Sequence, residues 1–438
     1  MSTSLAICGG PRTVPEGLIA PWPPTTPLDE EMVLRSLRGH KHAWGDNCEA
    51  LQEEFARWNG NRYCLAVTSG TAALQMCIAA CNLSAGDEVI VPAYSWTSSA
   101  TAVLHQKCIP VFVDIEPRWA NIDPDRIEAA ITPRTRAIMV VHLHGVPADM
   151  DPILDIARRH DLMVIEDACQ AHGSCYRNRR AGTIGHCAAF SLNQNKMLSA
   201  GEGGLFVTDD PQLLERARAM MLFGDFRKPL DDPDYHSYGM GWMIRYNDLC
   251  AAYARAQLRR IDDYIDRARR LFAVMRRELA EVRGLILPSE PAYATENGYN
   301  FVCHVDAAAL GYGGPPNFLR EAVVSALSAE GVPAMVWQRR ILPEMAAIAA
   351  RNAYGRGSPW REHGSTVAYD PAGFPAALHH SGTYFIIGGL RYPNDEKLAR
   401  LLAHGVRKVF ENIGTIDIDD LARRADVSMY ERGWKFRT

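Results

Sequence analysis

Short apolar runs alternate with helix-length amphipathic segments over the first half of the chain, and this alternation constrains the fold more than any other feature. Such alternation is typical of a mostly parallel sheet covered by helices, an α/β fold. Segments with helical spacing, such as Ala72 to Cys81 and Ile153 to His160, separate the first five runs. The runs predict seven strands: Tyr63 to Val67, Glu88 to Val91, Val111 to Val113, Ala137 to Val141, Met163 to Ile165, Ala188 to Ser191 and Leu205 to Val207.

The pattern changes after a long helical stretch from Asp248 to Val282. Residues 351–380 are rich in Gly, Pro, Ser and His, which indicates a long loop. A smaller α+β domain is predicted from two strand-like segments and two helices: Phe301 to Val305, Ala334 to Trp337, Asn317 to Ala329 and Asp395 to Phe410. We therefore predict a large domain over residues 1–255 with an N-terminal arm, a small domain over 256–414 and a tail helix over 415–438.

Composition excludes several classes of function. The 47 Lys and Arg nearly balance the 51 Asp and Glu, so the net charge of −4 provides no field that would attract nucleic acid. The 11 cysteines include no C-x-x-C pair, which favours reduced thiols in a cytoplasm over disulfides or a zinc site. Met1 to Pro15 lacks the features of a signal peptide, and no later stretch is long and apolar enough to span a membrane. We expect a cytoplasmic protein.

Two polar segments follow predicted strands and could hold a planar, phosphorylated ligand. Thr68-Ser-Gly-Thr71 lies between a strand and a helix, where backbone N–H groups and the helix dipole can bind phosphate. An ordinary helix cap would explain this segment equally well. Pro92-Ala-Tyr-Ser-Trp-Thr97 places Tyr94 or Trp96 where a ring could lie flat on a ligand, although a core aromatic is the commoner explanation.

Two further segments carry charge close to predicted strands. The acid pair Glu166-Asp167 is costly to bury without a partner, so we expect one of the two carboxylates in a site, where it could keep a basic ring nitrogen protonated. Lys196 lies between a strand and a glycine-rich turn. Partial burial would make its amine a nucleophile, whereas a lone lysine is more often a solvated surface charge.

Together the four segments meet the needs of pyridoxal 5′-phosphate: a phosphate cradle, a stacking ring, an acid for the pyridine nitrogen and a lysine that reacts with its aldehyde. Other motifs are absent, including G-x-x-x-x-G-K-[ST], H-E-x-x-H and G-x-S-x-G. The turn Gly201-Glu-Gly-Gly204 precedes a strand, whereas a dinucleotide fingerprint follows one. We therefore predict an enzyme dependent on pyridoxal phosphate, without a metal.

From about residue 20 to about residue 410 the chain resembles the DegT/DnrJ/EryC1/StrS family of sugar aminotransferases. The resemblance implies fold type I of the pyridoxal phosphate-dependent transferases. It is closest to the cyclitol branch, the glutamine:scyllo-inosose and 2-deoxy-scyllo-inosose aminotransferases, through the segment from Ala171 to Gly185. The motifs that carry the wider resemblance are Thr68-Ser-Gly-Thr71, Val89-Ile-Val-Pro-Ala-Tyr-Ser-Trp96, Pro110-Val-Phe-Val-Asp114, Val141-His-Leu-His-Gly145, Ile165-Glu-Asp-Ala-Cys-Gln-Ala-His-Gly173, and Lys196 with Gly201-Glu-Gly-Gly204.

The resemblance also implies roles for individual residues. Lys196 would hold the cofactor and move the proton, and Asp167 would pair with its pyridine nitrogen. The remaining cofactor contacts would be Trp96 on the ring, Gln170 near the phenolic oxygen, and Gly70, Thr71 and Ser191 at the phosphate. The family usually has Gly-x-Asn-x-Arg where this chain has Gly241-Trp-Met-Ile-Arg245, and Met243 cannot donate the hydrogen bond of that Asn. Three explanations are open: another donor such as Asn247 acts on the neighbouring subunit of a homodimer, the affinity for the cofactor is reduced, or the two sequences align differently here.

The predicted reaction moves an amino group from L-glutamine or L-glutamate to a ketone of a cyclitol or sugar, as in aminoglycoside biosynthesis. Candidate substrate residues are Tyr94, His144, Arg245 and the histidines of the loop 351–380. A packing or surface role would explain each of these residues equally well. An aminodehydratase similar to 3-amino-5-hydroxybenzoate synthase remains open, although those enzymes tend to have His at the Gln170 position. A sugar dehydratase typically replaces the lysine with His, which Lys196 argues against. A subunit that binds cofactor without catalysis is favoured only by Met243.

Overall fold

The computed structural model describes residues 4–224, 237 and 239–425. Fourteen strands are found in these residues. In chain order they are β1 (Tyr63–Val67), β2 (Glu88–Pro92), β3 (Ile109–Val113), β4 (Thr135–Val141), β5 (Met163–Asp167), β6 (Cys175–Tyr176), β7 (Arg179–Arg180), β8 (Cys187–Ser191), β9 (Gly204–Thr208), β10 (Leu285–Ile286), β11 (Ala294–Thr295), β12 (Phe301–Val305), β13 (Ala334–Met335) and β14 (Tyr384–Ile387).

The α-helices of the same residues surround the sheets. In chain order they are α1 (Pro27–Arg38), α2 (Asp46–Asn59), α3 (Gly70–Ala80), α4 (Thr97–His105), α5 (Pro124–Ile127), α6 (Met150–Arg159), α7 (Pro211–Met221), α8 (Asp248–Leu258), α9 (Ile261–Leu279), α10 (Pro316–Glu330), α11 (Ala346–Ala349), α12 (Pro375–Thr383), α13 (Glu396–Asn412) and α14 (Ile418–Ala425). No helix of the described residues is long and apolar enough to cross a membrane.

The central sheet contains seven strands in the order β1-β9-β8-β5-β4-β2-β3. The pairs β2·β3, β2·β4, β4·β5 and β5·β8 are parallel, whereas β9 runs antiparallel to both of its neighbours. Six strands therefore point the same way, and the loops that follow β1, β2, β5 and β8 meet at one edge. In such sheets this edge is where ligands bind. The α/β fold with a mostly parallel sheet is confirmed.

Burial explains why these segments became strands and helices. All five residues of β2 are buried, because helices cover both faces of the sheet. Helix α3 is apolar nearly all round, since it lies between the sheet and the helices α4 and α7. The helix predicted over Ala72 to Cys81 thus begins two residues earlier, at Gly70. Each of the seven predicted strands is present, with ends within two residues of those expected.

The second half of the chain forms a four-stranded antiparallel sheet in the order β10-β12-β14-β13, packed against α10 and α13. The expected long helical stretch is two helices, α8 and α9. Residues 351–374 are irregular except for a 3₁₀ turn over Pro371–Gly373, and the loop predicted to residue 380 ends earlier because α12 begins at Pro375. The first described residues pack on this layer rather than on the central sheet, since Glu330 accepts hydrogen bonds from the backbone of Ala6 (2.8 Å) and of Thr13 (3.0 Å).

Domain boundaries stay predictions, because one continuous set of buried apolar residues joins both sheets. The predicted tail helix is present as α14, and the remainder of the 415–438 prediction lies outside the described residues.

Candidate active site

A cavity of about 810 Å³ lies at the edge where the parallel strands end. Asp167 and Ser191 enter it from the central sheet and Gly70 from the start of α3, whereas Ile386 and Ile387 enter it from the second sheet. Its wall combines apolar side chains with uncharged polar ones, and the polar ones include Ser98, Gln170, Asn193, Asn195, Asn300 and Asn394.

One end of the cavity is formed by the start of α3. Ser69 caps the helix, and its Oγ accepts the N–H of Ala72 at 3.0 Å. No described hydrogen bond uses the N–H groups of Gly70 or Thr71, which precede it in the first turn. A side chain at Gly70 would bring its Cβ within 2.8 Å of the Ser191 Cβ, so only glycine lets these backbone groups approach. Exposed amides at a helix N-terminus suit a phosphate group.

The acid pair divides between the two faces of the sheet. Asp167 lines the cavity, where its carboxylate accepts hydrogen bonds from Ser99 Oγ (2.7 Å) and from the N–H of Cys169 (3.2 Å). Glu166 points the other way and is fully buried. Its carboxylate accepts His142 Nε2–H at 2.9 Å and three backbone N–H groups, those of Gly182, Ile184 and Gly185. Only Asp167 is available to a ligand.

The protonation of the Glu166 carboxylate is set by these partners. Burial alone would raise its pKa, but the hydrogen bonds from His142 and the backbone amides lower the pKa below its usual value. The tautomer of His142 follows, because its Nδ1 accepts the N–H of Ala148 at 3.1 Å and its Nε2 must therefore carry the proton. This network stabilises the turn around Gly182 and contributes no group to the cavity.

Lys196 lies on the cavity wall with its amine close to an aromatic ring. Nζ donates to the Tyr299 hydroxyl at 3.0 Å and lies 4.8 Å from the centre of that ring. The indole Nε1–H of Trp22 donates to the Lys196 carbonyl at 3.2 Å and fixes the backbone. A fully buried histidine, His172, lies nearby, and burial together with the Lys196 charge lowers its pKa to about 3. The amine therefore lies beside an aromatic ring and a phenol hydroxyl, and Arg391 lies over the same Tyr299 ring at 5.0 Å from its centre.

A pair of indole rings forms a flat wall of the cavity. Trp96 and Trp337 stack with ring centres 5.3 Å apart, and Trp96 remains 41% exposed. Gln170 also lines the cavity, where its Oε1 accepts the N–H of His144 at 2.7 Å. The structure thus brings together seven of the residues expected at the cofactor: Gly70, Thr71, Trp96, Asp167, Gln170, Ser191 and Lys196.

None of the three expected substrate residues Tyr94, His144 and Arg245 lies on the cavity wall. Tyr94 is fully buried, and its hydroxyl donates to the Gln338 carbonyl at 2.8 Å, so it presents no surface to the cavity and its contact with the substrate stays a prediction. His144 is 2% exposed and lies beside a separate small pocket, where Asn300 Nδ2 is 3.1 Å from its Nδ1. In the part of the chain that the structure describes, no histidine lines the large cavity. The histidines of the loop 351–380 are therefore also absent from its wall.

Arg245 and Asn247 lie outside the cavity of their own chain. Arg245 lines a different surface cavity of about 520 Å³. Asn247 caps α8, and its Oδ1 accepts the N–H of Cys250 at 2.9 Å. A role for either residue at a cofactor would have to be played in a second copy of the chain, and stays a prediction.

Three cavity residues gave no signal in the sequence: Trp22, Tyr299 and Arg391. None follows a strand of the central sheet, and none belongs to a sequence motif of the predicted site. Only the packing of the N-terminal segment and the second sheet against the central sheet brings them to the cavity.

The residues present fit pyridoxal phosphate. The cradle closed by Gly70 and Ser191 offers unpaired backbone donors, Asp167 retains acceptor sites toward the cavity, and the amine of Lys196 lies between them and the second sheet. Among the described residues, no group of three or more His, Cys, Asp or Glu is arranged to hold a metal ion.

The sequence profile of the DegT/DnrJ/EryC1/StrS aminotransferase family matches residues 25–357. The chain belongs to this family. Membership indicates pyridoxal 5′-phosphate as the cofactor and fold type I as the architecture.

Three known proteins illustrate the similarity. A GDP-perosamine synthase of Caulobacter vibrioides is 40% identical over 232 residues, which are 53% of this chain and 62% of that protein. An L-glutamine:scyllo-inosose aminotransferase of Streptomyces griseus is 39% identical over 271 residues, 59% of this chain and 63% of that protein. The matches thus cover less than two thirds of these two relatives. The crystal structure of a 3-amino-5-hydroxybenzoic acid synthase superposes with a TM-score of 0.79 at 27% identity, covering 91% of this chain and 99% of that one.

Proposed function

We propose that this protein transfers an amino group from L-glutamine or L-glutamate to a ketone of a cyclitol or sugar in aminoglycoside-like secondary metabolism. The observation that carries the proposal is the placement of Lys196, Asp167 and the Gly70 cradle on the wall of one cavity. Similarity to an L-glutamine:scyllo-inosose aminotransferase supports this choice of donor and acceptor.

Pyridoxal phosphate, when bound, supplies an aldehyde that reacts with amines and a ring that takes up electrons. Asp167 would hold a proton on the ring nitrogen, because its carboxylate accepts only two described hydrogen bonds and faces the cavity. Ser95 and Ser99 fix its position, since their hydroxyls are 2.7 Å apart and Ser99 donates to the carboxylate.

The amine of Lys196 would move the proton from the substrate carbon. Its Nζ is held at 3.0 Å by the Tyr299 hydroxyl, so a neutral amine there keeps a fixed direction toward the cavity. The indole wall of Trp96 and Trp337 would exclude water from one side of the reacting atoms.

The acceptor is proposed to be polyhydroxylated, because the cavity wall includes amide and hydroxyl side chains, such as those of Ser98, Asn193 and Asn300, that can bind hydroxyl groups. A nucleotide-linked ketosugar is the second candidate acceptor. It is favoured by the similarity to a GDP-perosamine synthase and to a structure described as DesI with its TDP-sugar product. The dehydrating alternative has one observation in its favour, the superposition on a 3-amino-5-hydroxybenzoic acid synthase.

The proposal is tested by following the visible absorbance of the cofactor-loaded protein. We expect it to fall on addition of L-glutamine or L-glutamate and to return with scyllo-inosose or 2-deoxy-scyllo-inosose. Return only with a GDP- or TDP-linked ketosugar would favour the second acceptor class, and release of water to give an aromatic product would favour the dehydrating enzyme.

Lys196→Ala should lower turnover by about 10²-fold to 10⁴-fold, the usual contribution of a positioned acid or base. The control is Lys107→Ala, which removes a surface lysine paired with Glu362 at 3.7 Å and should leave turnover unchanged. Full turnover in the Lys196 variant would refute the proposal.

We also propose that the enzyme works as a cytoplasmic homodimer. All 11 cysteines are free thiols, which suits a reducing compartment. Fractionation of the producing cells would place the protein with soluble cytoplasmic markers, and recovery in the periplasmic or secreted fraction would refute this location.

A further inference from the structure

Trp337 lies against the indole ring that is expected to cover the cofactor. It follows β13 of the second sheet, whereas Trp96 follows β2 of the central sheet, and both residues line the large cavity. Their ring centres are 5.3 Å apart and their planes differ by 29°. Trp337 thus covers one face of the Trp96 indole, and the 41% of Trp96 that is exposed leaves the other face open to the cavity.

The backbone next to Trp337 is fixed by two fully buried tyrosines. The N–H of Gln338 donates to the Tyr384 hydroxyl at 2.6 Å, and the carbonyl of Gln338 accepts the Tyr94 hydroxyl at 2.8 Å. The buried ring of His144 packs across the Trp337 ring, with ring centres 6.0 Å apart and planes at 69°. Trp337 therefore has a fixed position before any ligand enters the cavity.

Trp96 lies at the start of a helix, where an exposed side chain can adopt several rotamers. It directly precedes α4, and its side chain makes no capping hydrogen bond there. Restricting such a side chain at the moment when a ligand binds costs conformational entropy. Stacking on Trp337 restricts it beforehand, because aromatic rings prefer an offset-stacked arrangement.

We propose that Trp337 is a positioning residue that holds the Trp96 indole in place to cover the pyridine ring of the cofactor. The entropy of fixing Trp96 is then lost on folding and not on cofactor binding. The inference rests on the contact predicted between Trp96 and the cofactor, and it does not depend on which donor or acceptor the enzyme uses.

The test measures the binding of pyridoxamine 5′-phosphate to the full chain after removal of the cofactor. This compound has no aldehyde and cannot bond covalently to Lys196, so equilibrium dialysis gives the affinity of the non-covalent contacts alone. Trp337→Leu should raise the dissociation constant by about 2-fold to 10-fold, the range expected for one aromatic pair. Trp96→Leu should raise it at least as much.

A double variant distinguishes positioning from direct contact. If Trp337 acts through Trp96, Trp337→Leu should change nothing further in a chain that already carries Trp96→Leu. Two losses that multiply would overturn the inference, because Trp337 would then act on the ligand or on the fold without Trp96. Wild-type affinity in either single variant would overturn it as well, and in Trp96→Leu it would also remove the predicted contact with the cofactor.

A spectroscopic measurement tests the stack itself. Stacked indoles couple electronically and give a pair of bands of opposite sign in the far-ultraviolet circular dichroism spectrum. Trp96→Phe and Trp337→Phe should each remove the same pair of bands. Trp337→Phe keeps an aromatic ring against Trp96, so its dissociation constant should lie between those of the wild type and the Leu variant. This variant carries the test if the Leu variant does not fold, and wild-type bands in it would contradict the proposed stack.

The matched control is Trp119→Leu. Trp119 also belongs to an aromatic pair, with its ring centre 6.0 Å from that of Tyr293, but it lies outside the wall of the large cavity. This variant should keep the wild-type affinity and the pair of bands. Failure of the proposed function gives a different result, because the wild-type protein would then bind pyridoxamine phosphate as expected but would not be bleached by L-glutamine or L-glutamate.

Discussion

At the scale of single residues, two neighbouring carboxylates on β5 have opposite environments and should respond differently to the loss of charge. Asp167→Asn removes only an acceptor that faces the cavity. We expect turnover to fall by at least about 100-fold, roughly 3 kcal/mol of barrier, with little change in the free energy of unfolding. Steady-state kinetics and urea denaturation measure the two quantities. Turnover equal to that of the wild type would show that another group serves the ring nitrogen.

Glu166→Gln is the counterpart of that change. In the wild type the carboxylate accepts the backbone N–H groups of Gly182, Ile184 and Gly185. In the variant the NH₂ group of the glutamine amide would face some of these donors and could not accept their hydrogen bonds. We expect the free energy of unfolding to fall by about 3 kcal/mol. Because the pKa of Glu166 is lowered in the folded state, its contribution is present above the unfolded pKa of about 4.3 and lost as pH falls below it. A variant as stable as the wild type at pH 7 would contradict this account.

The sequence marked this acid pair but could not choose between its members from the residues alone. Alternation along β5 places the two side chains on opposite faces of the sheet. The face that carries Glu166 is covered by His142 and by the turn around Gly182, which are both remote in sequence, so the sequence does not show that the cavity lies on the other face. Arg391 was missed for a similar reason. The rings that hold it belong to residues 22 and 299, and no local pattern links these positions.

At the scale of elements, three buried histidines join the loop after β4, strand β12 and helix α12. Ring centres of His144 and His380 are 5.9 Å apart, and those of His304 and His380 are 5.0 Å apart. Burial, followed by repulsion from neighbouring charges, lowers the pKa of His144 to about 3 and of His304 to about 4, and the pKa of His380 well below its usual value. Lys196 contributes to the lowered pKa of His144, and Arg320 contributes to that of His380.

These histidines are neutral in the folded state, whereas the unfolded chain protonates them near pH 6.5. Their contribution to stability is therefore complete above pH 6.5 and is lost as pH falls toward 4. His380→Phe should reduce the slope of unfolding free energy against pH by about 1.4 kcal/mol per pH unit between pH 6 and 5, the value for one proton. At pH 7.5 the variant should be no less stable, because both ring nitrogens of His380 lack partners.

Urea denaturation at several pH values measures this slope. His404→Phe is the control, since His404 lies on the exposed face of α13. An unchanged slope in His380→Phe would contradict the assignment of the acid sensitivity to this cluster.

Sequence patterns predicted the elements better than their connections. The strand Tyr63 to Val67 was predicted at its observed bounds, because a short apolar run between turns has few alternatives. The reversed direction of β9 could not be read from Leu205 to Val207, since a buried strand is equally apolar in either direction. The two-residue strands β6 and β7 were missed because so short a pairing depends on tertiary contact.

At the scale of the whole molecule, a surface segment has the composition of a subunit interface. Met240 is 89% exposed, Trp242 56% and Met243 43%, and Phe223 is 45% exposed next to the same segment. We call these four residues the apolar patch. Arg245 follows it directly and lies outside the cavity of its own chain. A second copy seated on the apolar patch would bring this charged side chain toward a partner.

Trp242→Glu should therefore convert a dimer to a monomer. An indole buries 150–250 Å² of surface at an interface, and a carboxylate in its place would remain unpaired there. We expect the dissociation constant to rise by more than about 100-fold, or roughly 3 kcal/mol. Multi-angle light scattering across a dilution series measures it. The control is Ile286→Glu, because Ile286 is also an exposed apolar residue (47%) and lies on the second sheet. A wild-type protein that is monomeric at micromolar concentration, or a Trp242 variant that remains a dimer, would refute the assignment of this surface.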